Sequence, residues 1–213
     1  MTETIRGTDA AVEPGRRRPA PGSLRLLQLF INTYNAERSH LGLRTEEFAS
    51  PAGLRCWLVH HGLLARDVRV GAADVRRARR AREALRRLAL AHNGRTLEAA
   101  AVDIINRLAQ AGRLVVQVGP DGRMRLAASA TGVTGALGGL VAAALSAQIE
   151  GTWPRLKACR RCHWAFYDHS KNRSGRWCVM AVCGNRVKAR LYRSRHRKDE
   201  TRKPVRMART RRG

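Results

Sequence analysis

The chain has 213 residues, with 42 Lys and Arg against 16 Asp and Glu, a formal net charge of +26, and 44% hydrophobic residues. That hydrophobic share supports a buried core and excludes wholesale disorder, and the length fits one or two domains. A cationic surplus of this size repels itself on compaction and concentrates polyanions, which points to nucleic acid or an anionic membrane surface and away from small-molecule chemistry.

Residues 1–22, rich in Pro, Gly and Arg, read as a disordered arm. Ser23 then caps a helix with Leu24, Leu27, Ile31 and Tyr34 on its apolar face. At its end, Asn32 and Thr33 form a polar pair on an apolar segment, suited either to lining a ligand pocket or to a C-terminal cap and turn. Ser50 and Pro51 open a second helix carrying Leu54, Trp57 and Leu58, in which Cys56 reads as a small core residue. A third helix, from about Ala72 to His92, turns Val75, Ala78, Leu85 and Leu88 inward and leaves an Arg-rich face in solvent.

Thr96 opens a fourth helix with Leu97, Ile104 and Leu108, and Gly112 stands where a helix C-terminal glycine belongs. A hairpin follows, from Leu114 to Val118, across Gly119-Pro120-Asp121-Gly122, to Met124 and Leu126. A small-residue helix over about Gly135 to Glu150 ends this part. The uncharged stretch from Leu126 to Ile149 is long enough to cross a bilayer, but Ala, Gly, Ser and Thr fill most of it, which argues against a membrane span.

The last third differs in kind. Residues 151–213 hold 20 of the basic residues and only 3 acidic ones, together with four of the five cysteines and six of the ten aromatic residues. Cys159, Cys162, Cys178 and Cys183 form a C-x2-C, a 15-residue gap, and a C-x4-C. No apolar leader precedes them, so a reducing cytoplasm is expected, where clustered cysteines are more often metal ligands than disulfides. Two tight turns, each presenting a pair of thiolates, suit one tetrahedral zinc, and a site filled by four thiolates leaves no open position for catalysis. The ion is therefore expected to be structural and the protein not an enzyme. Arg160, Arg161 and Arg176 would offset the charge of the thiolates.

Trp164 and Phe166 alternate as on a strand, and the polar stretch after them suits a turn before a return strand at Trp177, so a hairpin is expected between the two Cys pairs. These aromatics serve a small core more readily than base stacking. Asp168 and Ser170 suit the turn. His163 could compete as a ligand or face a phosphate. After Cys183, Asn185 caps a basic helix, and Arg176, Arg186, Lys188, Arg190, Arg193, Arg195 and Arg197 are the candidate DNA contacts.

The run CRRCHWAFYDHS, followed by RSGRWCVMAVCGNRVKARLYRSRHR, closely resembles the CGNR zinc finger, whose motif stands here as Cys183-Gly184-Asn185-Arg186. Residues 24–150 resemble the ABATE domain that precedes that finger, through Phe30-Ile31-Asn32-Thr33 and Ser50-Pro51 with Leu54, Trp57 and Leu58. Leu29 stands where that family often has an acidic residue.

The resemblance implies a bacterial, stress-linked transcription regulator that binds duplex DNA through the finger, while the N-terminal domain senses a small molecule or forms a homodimer. An RNA- or ribosome-associated zinc protein is the alternative. The expected fold is mainly α with small β elements: a helical ABATE-like domain at 23–150 with one β-hairpin, then a compact four-cysteine zinc finger at 156–198 built from a β-hairpin and a basic C-terminal helix. A basic disordered tail is expected at 199–213. A cytoplasmic, nucleoid-associated location follows.

Overall fold

The computed structural model describes residues 13–35 and 44–202. Helix α1 spans Ser23–Asn32 and buries Leu24, Leu27, Phe30 and Ile31. Gly22, at a φ of 52°, takes the capping position, so Ser23 is the first helical residue and not the cap. The helix stops before Tyr34, because Thr33 turns the chain by returning its hydroxyl to the Phe30 carbonyl at 2.8 Å. Tyr34 then starts a two-residue ribbon, β1 (Tyr34–Asn35) against β2 (Thr45–Glu46).

Helix α2 (Pro51–His60) begins as its sequence demands, with Ser50 accepting from the Gly53 amide at 3.1 Å and Pro51 in the first turn. It sends Trp57 against Phe30 and Phe48, with ring centroids 5.4 and 5.7 Å away. Cys56 lies on the outer side of α2 and is exposed, contrary to the expectation of a core position. Helix α3 (Ala72–Ala91) starts at Gly71, whose amide donates to Asp74 at 3.0 Å.

Helix α4 (Ala99–Gly112) begins later than Thr96, and the left-handed position after it falls on Arg113, at φ 48°. Gly112 has a different role. It faces Gly138 of α5 (Gly132–Ile149), and a Cβ on Gly112 would lie 2.7 Å from the Gly138 Cα. Two glycines thus let the helices meet backbone to backbone. Between them runs the expected hairpin, β3 (Leu114–Val118) with β4 (Met124–Ala128), in register from Leu114↔Ala128 to Val118↔Met124. Among the described residues α5 is the one helix long and apolar enough to cross a membrane, and it lies against α4 and α1 with Leu137 and Leu140 buried in the core.

A single turn at Trp153–Arg155 leads into β5 (Leu156–Ala158), which pairs antiparallel with β6 (Ala165–Tyr167), Lys157 opposite Phe166. This corrects the hairpin expected between the Cys pairs. The hairpin instead straddles the first pair, which forms its tip, and no strand stands at Trp177. The reason is burial: Leu156 and Ala158 are fully enclosed, so β6 finds its partner before the cysteines, not after them. A π-helical turn at Met180–Gly184 then feeds α6 (Asn185–Arg202).

One hydrophobic core runs through both parts. Leu24, Phe30 and Leu85 share it with Leu156, Ala158, Ala165 and Tyr167, while Phe166 and the four cysteines form a smaller cluster on the other side of the hairpin. Leu29 packs at the edge of the larger cluster.

The ends correct two further expectations. Residues 13–22 are ordered, because Arg17 donates to the carbonyls of Cys178 at 2.6 Å and Trp177 at 2.9 Å, and its guanidinium sits 4.7 Å from the Phe166 ring centroid. Glu13 meets Arg25 at 2.5 Å, and the Ala20 amide donates to Gln28 at 2.9 Å. The rest of the expected arm, residues 1–12, lies outside the described residues. Of the expected tail, residues 199–202 continue α6, and 203–213 lie outside the described residues.

Candidate metal centre and nucleic-acid interface

The first two cysteines sit on a tight knuckle at the tip of the β5–β6 hairpin. The Cys159 amide donates to the Trp164 carbonyl at 2.9 Å and the His163 amide to the Cys159 carbonyl at 3.0 Å, with His163 in the left-handed region at φ 59°. The second pair is held by the π turn, where the Cys183 amide reaches the Val179 carbonyl at 2.8 Å. Gly184 is buried there, where a Cβ would press on the Met180 and Trp177 side chains.

The four sulfurs converge. Cys162 Sγ stands 3.4 Å from Cys178 Sγ and 3.6 Å from Cys183 Sγ, Cys178 and Cys183 are 3.7 Å apart, and all four lie within 4.8 Å of one another. A tetrahedron with Zn–S bonds of about 2.3 Å requires edges of about 3.8 Å, so the residues fit one zinc with small adjustment. Hydrogen bonds from the neighbouring thiols, Cys162 first, hold the Cys159 thiol well below its usual value. With all four ligands buried and sulfur-only, the ion would supply folding energy and rigidity, with no open coordination position.

The expected cationic neighbours divide their tasks. Arg161 points Nη1 at Cys183 Sγ, 3.8 Å away. Arg160 turns instead toward the helical unit and donates to the Asn93 carbonyl at 2.6 Å. Arg176 contributes its carbonyl, which accepts from the Arg160 amide at 3.2 Å and from Asn93 at 2.9 Å, while its side chain is exposed. Phe166 is buried against the cysteines, with Trp164 and Trp177 packed beside it, in keeping with a core role.

Asp168 and Ser170 organise the stretch after β6. Asp168 is buried and accepts from Ser170 Oγ at 2.7 Å, from the Gly175 amide at 2.8 Å, and from Lys157 Nζ at 2.8 Å. Burial pushes its carboxyl upward, but the Lys157 and Ser170 hydrogen bonds outweigh this and hold it at about 2. Lys157 also donates to the Arg173 carbonyl.

Asn32 and Thr33, the candidate ligand-binding pair, are both buried and both occupied. Asn32 donates to the Ala165 carbonyl at 3.0 Å and accepts its amide at 2.8 Å, and the Thr33 hydroxyl also accepts from Arg82 at 3.2 Å. The pair joins α1 to the finger and to α3.

The solvated face expected on α3 hides two buried arginines. Arg82 is 3% exposed and grips Glu46 with both terminal nitrogens at 2.7 and 2.8 Å. Arg86, 6% exposed, donates to the carbonyls of Ile31 at 2.6 Å, Tyr34 at 3.1 Å and His163 at 2.9 Å, and so ties α1 to the zinc knuckle. The lone acid in this run, Glu83, which pairs with both, was the available signal.

A basic cleft of about 570 Å³ opens beside the metal centre. Arg160, Arg161 and His163 line its knuckle side, and Arg186, Arg190 and Arg193, spaced for one helix face, line its α6 side. Lys188 is exposed outside the cleft, and the side chains of Arg195 and Arg197 lie outside the described residues.

Two family models match the chain. The ABATE family model, described as "Putative stress-induced transcription regulator", matches residues 24–151, and the CGNR zinc finger model matches residues 155–196. No curated protein matches the chain.

Proposed function

Because the chain belongs to the ABATE family and ends in a CGNR zinc finger, we propose that it is a non-catalytic, cytoplasmic transcription regulator that binds duplex DNA through its zinc-ordered basic cleft. The observation that carries this reading is where the cleft takes its walls from. Arg160 and Arg161 lie between the first two zinc ligands, and Arg186 follows the last one by three residues, so the metal fixes the distance between the two rows of cations. Fixed cations facing one another suit a phosphate backbone, and Arg186, nearest the anchor, is the best placed to read a base edge. The ABATE domain serves as a sensor or a homodimer contact.

The test is competition binding of the zinc-loaded chain at physiological salt. A regulator prefers its own duplex over scrambled duplex by at least ~10³ in affinity. A folded RNA that outcompetes both duplexes transfers the function to RNA.

A further inference from the structure

The charge distribution along the chain assigns polyanion binding to the last third, yet one cation of the cleft, Arg95, belongs to the helical domain. After α3 the chain turns through Asn93, Gly94 and Arg95, with the Gly94 amide on the Ala91 carbonyl at 2.9 Å and the Arg95 amide on the Leu90 carbonyl at 3.1 Å. Asn93 is buried and locks this turn to the finger, donating to the Ala158 carbonyl at 2.8 Å and to the Arg176 carbonyl at 2.9 Å. Gly94 sits at φ 79°, and a Cβ there would strike the Arg160 guanidinium, so the turn lies directly against a cleft cation.

Arg95 is exposed and lines the cleft beside Arg160 and Arg161. Two other surface arginines of this domain have carboxylate partners, Arg87 in Glu98 at 2.8 Å and Arg77 in Asp74 at 3.4 Å. Among the described residues no carboxylate pairs with Arg95. We propose that Arg95 is a phosphate contact for duplex DNA, so that the helical domain and the finger together clamp one strand of the backbone. The proposal rests on the DNA-binding reading. It makes the footprint of the protein a property of both domains, because Asn93 fixes where Arg95 stands relative to α6.

The experiment is a salt titration of affinity for a mixed-sequence duplex of about two helical turns, using the full zinc-loaded chain. Each lost phosphate contact reduces the slope of log affinity against log salt by about 0.9. Arg95→Gln should reduce the slope by that amount, as Arg190→Gln does, while Arg95→Lys retains it. Arg107→Gln, in a separate groove between α3 and α4, should leave it unchanged. Arg95 is exposed, so zinc content and thermal unfolding of Arg95→Gln should equal those of the wild type. A slope unchanged in Arg95→Gln but lowered in Arg190→Gln overturns the assignment of Arg95 alone, as does an equal fall in Arg107→Gln. Failure of the wild-type chain to bind the duplex overturns the DNA reading itself.

Discussion

Asn32 in α1 completes the outer edge of Ala165 in β6, its side-chain amide donating to one backbone group at 3.0 Å and accepting from the other at 2.8 Å. The side chain thereby acts as a peptide unit of a neighbouring strand, and the hairpin that carries the zinc knuckle is fastened to the helical domain. Asn32→Ala should leave the Ala165 amide buried without a partner and its carbonyl with only the longer bond from Gln28 Nε2 at 3.4 Å. Such a loss costs about 1–3 kcal/mol. Denaturant unfolding should show a lower midpoint with an unchanged slope, and an unchanged midpoint would show that the pair is replaceable by water.

Zinc removal should reach further than the finger. Leu156, Ala158, Ala165 and Tyr167 belong to the same core as Leu24, Phe30 and Leu85, and Arg86 and Asn93 satisfy their donors on finger carbonyls. Elemental analysis should give one zinc per chain. Chelation, or Cys162→Ser, should unfold the finger and also lower the thermal midpoint of the helices, because their apolar face loses its cover. A helical transition that stays at the wild-type temperature would show two independent domains.

The Lys157–Asp168 pair is the polar centre of the finger, with side chains 6% and 1% exposed and a 2.8 Å contact. Asp168→Asn removes the charge but keeps the shape, which isolates electrostatics from packing. It leaves Lys157 buried and unpaired, a change that costs about 3–5 kcal/mol. Thermal unfolding at neutral pH measures this, and a loss under ~1 kcal/mol would show that the Arg173 and Gly175 carbonyls, which already accept from Lys157, hold its charge without the carboxylate.

Within the DNA reading, Arg186 and Arg193 should separate by kind of effect. Arg186 follows the zinc knuckle directly, whereas Arg193 lies two turns further along α6. Arg186→Ala should cost about 1–3 kcal/mol on the preferred duplex and flatten discrimination, while Arg193→Ala weakens all duplexes alike. Equal loss on preferred and scrambled duplexes for Arg186→Ala would make it a phosphate contact only.

The parts legible in the sequence are those with local causes. Four thiols at fixed spacing must converge to be useful, so the metal site could be read directly from Cys159, Cys162, Cys178 and Cys183. Ser50 and Pro51 set the start of α2 through bonds made within three residues. What was not legible depends on distant partners. Arg17 owes its order to carbonyls 160 and 161 residues away. Lys157, in a strand of three residues, carries no alternation signal, and its burial is explained by Asp168 and the Arg173 and Gly175 carbonyls. Arg82 and Arg86 look solvent-facing until Glu46 and the Ile31 and His163 carbonyls arrive from other elements.

Two half-buried groups of the helical domain should give opposite pH dependences over the same interval. Burial, with Glu46 beside it, raises the Glu47 carboxyl from 4.5 to about 7, so the folded chain holds this proton more tightly than the unfolded chain. Its effect on stability is therefore unfavourable as pH rises from about 4.5 to 7 and is complete above that. His92 is shifted the other way: burial holds its imidazole below the ordinary 6.5, while its Nδ1–H donates to the Leu156 carbonyl at 2.8 Å and the ring rests edge-on against Trp153. Protonation in the unfolded state alone makes the fold lose stability as pH falls below about 6.5. The two slopes offset each other in the wild type. Glu47→Gln removes one of them, so the variant should be more stable than the wild type at about pH 8, and the difference should shrink toward pH 6. The variant should also lose stability on acidification more steeply than the wild type does, the slope that His92 supplies. Chemical unfolding of both proteins across this range measures the difference, and a gap that does not change with pH would show that Glu47 is ionised in the folded chain throughout.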